Sequence, residues 1–114
     1  MLVSEMIIAP VTDRDHRGDI LNDDSPATMF MTINTPNSSV PDVGRNGYCN
    51  STDPATPCTI ATDNLLHKAA RSRHTGGVNV LFGDGSVRFV TNSVPLNIWQ
   101  AISTMTGGEA VGPY

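Results

Sequence analysis

The chain has 114 residues, of which 39% are hydrophobic, 5% are aromatic and 16% are charged, with ten glycines and eight prolines. This length fits one domain, residues 1–114, and the glycine and proline content favours a turn-rich protein with a sheet over a helical bundle. The formal net charge of −4 argues against nucleic acid as a partner. The sequence contains no apolar run of about 18 residues that could span a membrane.

Two stretches near the start predict strands. Met1–Ile8 is mostly apolar, and Pro10 would end this buried strand. Thr28–Ile33 alternates weakly between polar and apolar residues, as a half-buried strand does. A domain that begins on a core strand is unusual, so we expect further sequence before Met1.

The acidic stretch Val11–Ser25 resembles a calcium-binding loop in part of its spacing. Four carboxylates and one glycine fall at template positions: Asp13, Asp15, Gly18, Asp19 and Asp24. Arg17 stands where a ligand oxygen is needed, and the last position carries Asp instead of the longer Glu. The alternative is a solvated acidic turn whose carboxylates pair with Arg14 and Arg17.

A long irregular region, Asn34–Cys58, follows and is rich in proline, glycine, serine and asparagine. Loops of this length are uncommon in compact domains unless they are functional or pack on themselves. Cys49 and Cys58 lie close together in it, which leaves a disulfide, free thiols or a metal site as alternatives. The absence of a C-x-x-C spacing and of a nearby histidine makes metal the weakest of the three.

The segment that leads into the next strands is locally basic. Asp63–Arg71 predicts either a short helix capped by Asp63 or an extended lead-in. The basic residues of His67–His74 have three interpretations: a solvated rim, internal pairing with the acidic loop, or a site for an anion or partner.

The strongest local pattern in the chain is a β-hairpin. Val78–Phe82 and Val87–Val90 flank Gly83-Asp84-Gly85-Ser86, and Asp-Gly between alternating hydrophobic residues is typical of a type I′ turn. That turn would pair Phe82 with Val87. It would give one apolar face, formed by Val78, Val80, Phe82, Val87 and Phe89, and a half-polar face formed by Asn79, Leu81, Arg88 and Val90.

His74 and Asp84 invite interpretation as a catalytic pair, but strand geometry places them about 15–25 Å apart at opposite ends of the hairpin. Asp84 is expected to be a turn residue whose carboxylate accepts backbone hydrogen bonds. His74 is expected to pin the loop that enters the strand. Gly76-Gly77 lacks the lysine and the spacing of a phosphate-binding loop, and the sequence indicates no catalytic residue.

Pro95–Met105 predicts a short amphipathic helix that covers one face of the hairpin. Asn92 or Ser93 would cap it, and Gly107-Gly108 would end it. The apolar stripe comprises Ile98, Ala101, Ile102 and Met105, with Trp99 on its flank. Together these elements predict an α+β fold: an antiparallel sheet with long loops and one short C-terminal helix.

Several motifs together resemble a known bacterial family. His74, nine further residues and Asp84-Gly85 form the H-x9-DG signature of type II secretion pseudopilin-like (prepilin-type) proteins. Further segments match the same pattern: Leu2–Glu5, Asp15–Gly18, Asn34–Asp42, Ala70–His74, Gly76–Asn79, Gly83–Val90, and the Trp99 helix with Gly107–Glu109. The resemblance spans nearly the whole chain.

This resemblance implies a pilin-like C-terminal portion, with the family's leader and long N-terminal helix absent from this sequence. It implies a non-catalytic structural or assembly role in a pilus-like or secretion-associated filament, with other pseudopilin-like subunits or envelope components as partners. An envelope or extracellular location would suit a Cys49–Cys58 disulfide, and a calcium ion in the acidic loop would be structural. The alternative role is a binding module that recognises a glycan, a peptide or another surface component.

Overall fold

The computed structural model describes residues 1, 3–8, 15, 17–18, 25–49, 51, 53–63 and 65–104. The fold is α+β, as the sequence predicts, and no long helix lies in this part of the chain. Its elements, in chain order, are β1 (Val3–Ser4), α1 (Ser25–Thr28), β2 (Asp42–Gly44), β3 (Cys58–Ile60), β4 (Gly77–Leu81), β5 (Val87–Thr91) and α2 (Leu96–Ala101).

The main sheet has three antiparallel strands in the order β1-β4-β5. β4 is therefore the central strand, and its burial reflects this, because Val78 and Val80 are completely buried. The second sheet is small and parallel, with β2 beside β3. No helix in the described residues is long and apolar enough to cross a membrane.

The N-terminal strand differs from its prediction. Among the described residues of the predicted Met1–Ile8 strand, Val3–Ser4 belongs to the sheet and residues 5–8 do not. Val3 is 56% exposed and Ile8 is 69% exposed. Val3 lies opposite Leu81, on the face of the sheet away from the buried Val80, so its apolar side chain does not enter the core.

The hairpin exists, but its register is one residue away from the predicted one. Val78 lies opposite Val90 and Leu81 lies opposite Val87. The loop has three residues, because Phe82 N–H donates to Ser86 O at 2.9 Å, and among the loop residues Gly85 carries the positive φ, at 82°. This is a type I turn followed by a left-handed glycine, not the predicted type I′ turn.

A one-residue slip moves side chains to the opposite face of a strand. The predicted apolar face is therefore wrong for β5. Val90 points into the core with Val78 and Val80, whereas Val87 and Phe89 lie on the outer face and are exposed.

The hydrophobic core lies between the inner face of the hairpin and α2. Trp99 is fully buried and packs with Val78, Val80, Val90 and Ile102. Trp99 is thus the centre of the helix's apolar side and not its flank. Its Nε1–H donates to Asn34 O at 3.0 Å, so the one polar atom of the ring is satisfied.

The remaining elements correct several expectations. Residues 29–33 form no strand, and a short helical turn, α1, precedes them. The segment 65–71 is extended, with an antiparallel bridge between Val43 and His67, so the extended alternative for Asp63–Arg71 holds. Helix α2 has Pro95 at its N-cap without a side-chain cap, because Ser93 Oγ lies 3.1 Å from Thr91 Oγ1 instead. Met105 and Gly107–Tyr114 lie outside the described residues.

Candidate functional site

His74 lies where the chain enters β4, and its ring contacts the N-terminal segment. Nε2 donates to Glu5 Oε1 at 2.9 Å. The same carboxylate accepts the backbone N–H of Asn79 at 2.7 Å and its side-chain amide at 3.1 Å. Glu5 therefore joins His74 to the middle of β4, across 69 residues of sequence.

Burial of Glu5 alone would raise its carboxyl pKa, but the two hydrogen bonds from Asn79 and the nearby His74 ring outweigh it. The net effect is a pKa below the ordinary value. The charged form of Glu5 is thus the form that fits this site.

Ser72 and Asn37 complete the support of the entry to β4. Ser72 Oγ donates to Gly77 O at 2.6 Å and accepts the His74 backbone N–H at 3.1 Å. Asn37 accepts the Ser72 N–H through Oδ1 and donates to Gly77 O through Nδ2. Asn37 adopts a positive φ of 51°, a conformation that asparagine tolerates better than most residues.

Gly77 has no room for a side chain. A Cβ there would lie 2.2 Å from Val90 O and 2.7 Å from the Phe89 ring. Gly76 beside it needs glycine for another reason, its positive φ of 87°.

Asp84 and Gly85 form the opposite end of the hairpin. Asp84 Oδ1 accepts the Ser86 N–H at 2.9 Å and the Ser86 hydroxyl at 2.7 Å. These two bonds lower the carboxyl pKa of Asp84. The structure therefore does not bring His74 and Asp84 together, because strand β4 separates them and each side chain has its own partner.

An open groove of about 550 Å³ runs beside His74. One wall is the segment 5–8, including the exposed Ile8, and the other is the segment 71–74. A backbone hydrogen bond of 2.9 Å from Arg71 N–H to Glu5 O joins the two walls. The groove combines an apolar wall with the polar groups of Ser72, Arg73 and His74.

A buried ionic cluster lies beneath this region, and we call it the Asp42 cluster. It consists of Asp42, Arg71, Arg17 and Asp15, so its formal charge is balanced. Arg71 donates to both oxygens of Asp42, with Nη2–Oδ1 at 2.9 Å and Nε–Oδ2 at 3.0 Å. Arg17 bonds Asp42 at 3.2 Å and Asp15 at 2.5 Å. These carboxylates and guanidinium groups are almost completely buried.

Three further bonds of the cluster go to backbone carbonyls. Arg71 donates to Ser38 O and Val40 O, and Arg17 donates to Thr56 O. Burial alone would lower the pKa of Arg17, but Asp15 and then Asp42 raise it above its ordinary value. The cluster thus ties four segments together, near residues 15–17, 38–42, 56 and 69–71, with its charges paired.

Three residues of the basic segment are used in internal pairing, with carboxylates that lie outside the predicted acidic loop. Arg71 pairs with Asp42, Arg73 with Asp53 at 2.7 Å, and His74 with Glu5. The hydrogen bond from Ala55 N–H and then Arg73 lower the pKa of Asp53.

The predicted calcium ligands are mostly outside the described residues, since Asp13, Asp19 and Asp24 are among those not described. Asp15 is described, and both of its carboxylate oxygens bond the Arg17 side chain. The Asp15–Arg17 pair matches the alternative of internal pairing, except that it is buried and not on the surface. Cys49 and Cys58 form a disulfide with their Cα atoms 5.8 Å apart, which links β3 to the turn after β2.

Comparison with known proteins places the chain in a family. The model of a family described as "Protein of unknown function (DUF1559)" matches residues 1–97. The chain belongs to this family. The DUF1559 match includes Glu5, the Asp42 cluster and the whole hairpin with His74 and Asp84. No curated protein and no solved structure matches the chain.

Sequence reasoning missed two features of this DUF1559 chain: Glu5 as the partner of His74, and the Asp42 cluster. One signal was present for the cluster. Asp42 stands between Val40 and Val43, and Arg71 follows Ala69-Ala70, so each charge interrupts a small apolar run. Charged residues in such runs are rarely buried unless they are paired. No local signal connects Glu5 with His74, because the contact depends on how β1 registers against β4.

Proposed function

We propose that this DUF1559 domain is a non-catalytic structural subunit of a pilus-like or type II secretion-like filament of the cell envelope. Its partners are other pseudopilin-like subunits or envelope components. The proposal rests on the positions that the H-x9-DG residues take in the hairpin. His74 braces one end of β4 and Asp84-Gly85 builds the turn just beyond the other end, so the motif supports a rigid hairpin.

The arrangement around His74 supports a structural role over a catalytic one. His74 and Glu5 have the contact of an acid–base pair, but the nearest hydroxyl in the groove, Ser72 Oγ, donates to Gly77 O. Glu5 in turn is held by Asn79. A nucleophile needs a hydroxyl whose proton is directed at its base, and here the proton is directed at the backbone.

The disulfide supports a location outside the cytoplasm. Cys49–Cys58 ties a polar loop, and such bonds persist in the periplasm and outside the cell. We therefore propose that the domain lies in the cell envelope or the extracellular space, a location that suits a pseudopilin-like protein.

Labelling in the source cell tests the filament role. Antibodies against residues 1–114 would be applied to sheared surface material and examined by electron microscopy. We expect label along filaments, and none on a strain in which the gene is deleted. Label confined to the cytoplasmic fraction, or to envelope without any filament, would overturn the proposal.

The groove beside His74 supports the alternative of a binding module. It offers an apolar wall with the 69%-exposed Ile8 opposite Arg73 and His74, a combination suited to an acidic or glycan-like surface component. Binding of the isolated domain to a glycan and peptide array would favour this role. The binding should then be lost in Ile8→Asp and kept in Leu65→Asp, an equally exposed apolar residue outside the groove.

We propose further that the domain folds without a cofactor. Both oxygens of Asp15 accept hydrogen bonds from the Arg17 guanidinium, whose positive charge disfavours a calcium ion beside this carboxylate. Metal bound by the folded state alone would raise the melting temperature. We expect equal melting with calcium and with chelator, and a rise with calcium would reinstate the structural calcium site.

A further inference from the structure

Strand β5 has an outer edge without a neighbouring strand. In the described part of the chain it pairs with β4 alone. Phe82 N–H donates to Ser86 O, and hydrogen-bonded pairs alternate along an antiparallel ladder. The even-numbered residues of β5 therefore direct their backbone groups to β4. Val87 and Phe89 direct theirs outward, and no described residue bonds them there.

The side chains at this edge are apolar and exposed. Val87 is 64% exposed and Phe89 is 44% exposed. Val3, Leu81 and Val87 lie opposite one another on the three strands, so they form one row on the outer face of the sheet. β5 contains no proline, and the one protective charge on this edge is Arg88, which lies 5.2 Å from the Phe82 ring.

We propose that β5 pairs antiparallel with β5 of a second copy of this chain, around a two-fold axis at Phe89. The pairing would join two three-stranded sheets into one sheet of six strands. It does not depend on the filament role, because it needs the isolated domain alone.

The register follows from the charge of Arg88 and from the contact between the phenyl rings. With Phe89 opposite its own copy, Val87 faces Thr91 and Arg88 faces Val90. The outward backbone groups of Phe89 then bond each other, and the two phenyl rings adjoin. Two neighbouring registers also use the outward groups. One places Arg88 opposite its own copy, and like charges directly opposite are destabilising. The other places Val90 opposite its own copy and Phe89 opposite Thr91, so the two phenyl rings no longer adjoin.

The other edge of the sheet is unsuited to the same use. β1 has two residues, and the carbonyl of Glu5 just after it already accepts the Arg71 N–H. Head-to-tail pairing of β5 with β1 would build an open polymer, whereas β5 with β5 is isologous and closes as a dimer. The structure therefore favours a closed pair.

Sedimentation velocity over a range of protein concentrations tests the proposal. We expect the wild-type domain to show a monomer–dimer equilibrium. Phe89→Lys places a like charge on the two-fold axis and should weaken the dimer by at least about tenfold. Leu65→Lys is the matched control, because Leu65 is 73% exposed and lies outside the sheet. A wild-type domain that stays monomeric, or a dimer that survives Phe89→Lys, overturns the proposal.

Cysteine cross-linking checks the register independently of any loss of stability in Phe89→Lys. Paired residues with Cα atoms about 5.5 Å apart can form a disulfide. Phe89→Cys should cross-link to its own copy under mild oxidation, and Arg88→Cys should not. Efficient cross-linking of Arg88→Cys, or none of Phe89→Cys, contradicts the two-fold axis at Phe89.

Discussion

Two buried regions stabilise this domain by different physical means. The core between the hairpin and α2 is apolar, with Trp99 at its centre. The Asp42 cluster is ionic, and it joins segments that carry little regular structure. Burial stabilises the first directly. The second avoids the cost of isolated buried charges because its charges are paired, so we expect it to add little net stability although breaking it should be costly.

The difference between the apolar core and the Asp42 cluster shows how a stretch that consists mainly of loops can adopt one defined conformation. Between α1 and β4 the chain has two three-residue strands, and side chains from this stretch contribute few fully buried large apolar groups. Asp42, Arg71 and the carbonyls that they bind supply the long-range contacts there instead. We expect the two regions to respond differently to substitution.

The largest effect should come from the apolar core. Trp99→Ala removes the largest buried side chain and the hydrogen bond to Asn34, and should lower the free energy of unfolding by about 4–5 kcal/mol. Urea denaturation with the disulfide intact measures this. Leu96→Ala in the same helix is the control, because Leu96 is 43% exposed and should cost far less. Equal losses for the two variants would mean that Trp99 is not the centre of the core.

The second largest loss of stability should come from a substitution in the Asp42 cluster. Asp42→Asn keeps the shape of the side chain but leaves Arg71 without its carboxylate, and should cost about 3 kcal/mol. The pair Asp53–Arg73, whose arginine is exposed, provides the control, since Asp53→Asn should cost much less than Asp42→Asn. Raising the salt concentration should change the second loss and leave the first nearly unaltered. Similar losses for both variants would contradict a buried, unscreened cluster.

The sequence predicted those parts of the fold that depend on neighbouring residues. The hairpin, the helix after it and the turn role of Asp84 rest on short-range patterns. The predicted register was wrong by one residue, because Asp84-Gly85 suits both a two-residue and a three-residue loop. The loop length decides on which face of the sheet Phe89 lies. Glu5, Asp42 and Arg71 could not be paired from sequence, because their contacts join segments 29 to 69 residues apart.

A smaller loss of stability should come from a substitution at Gly77 in the main sheet, which connects the two buried regions. Gly77→Ala places a Cβ against Val90 O and the Phe89 ring, so the strands must separate slightly, at about 1–3 kcal/mol. Gly83→Ala is the matched control, because nothing lies within 4 Å of a Cβ there. Amide hydrogen exchange should show faster opening of β4 and β5 in Gly77→Ala. If both variants are as stable as the wild type, the close approach of Phe89 to Gly77 is wrong.

The smallest effect should come from Glu5, which is only partly buried, and it should depend on pH. The pKa of Glu5 is below its ordinary value of 4.5 in the folded protein. A carboxyl whose pKa is lowered by folding contributes stability above its ordinary pKa and loses it as the pH falls through the folded value. Wild type should therefore exceed Glu5→Gln by at most about 1 kcal/mol at neutral pH, and the difference should shrink below pH 4.5. Denaturation at several pH values measures it, with His74→Gln as a second variant that keeps the Asn79 bonds to Glu5. A stability difference that stays constant across the acid range would show that the charge of Glu5 does not stabilise β4. The structural role of His74, which depends on its contact with Glu5, would then be wrong as well.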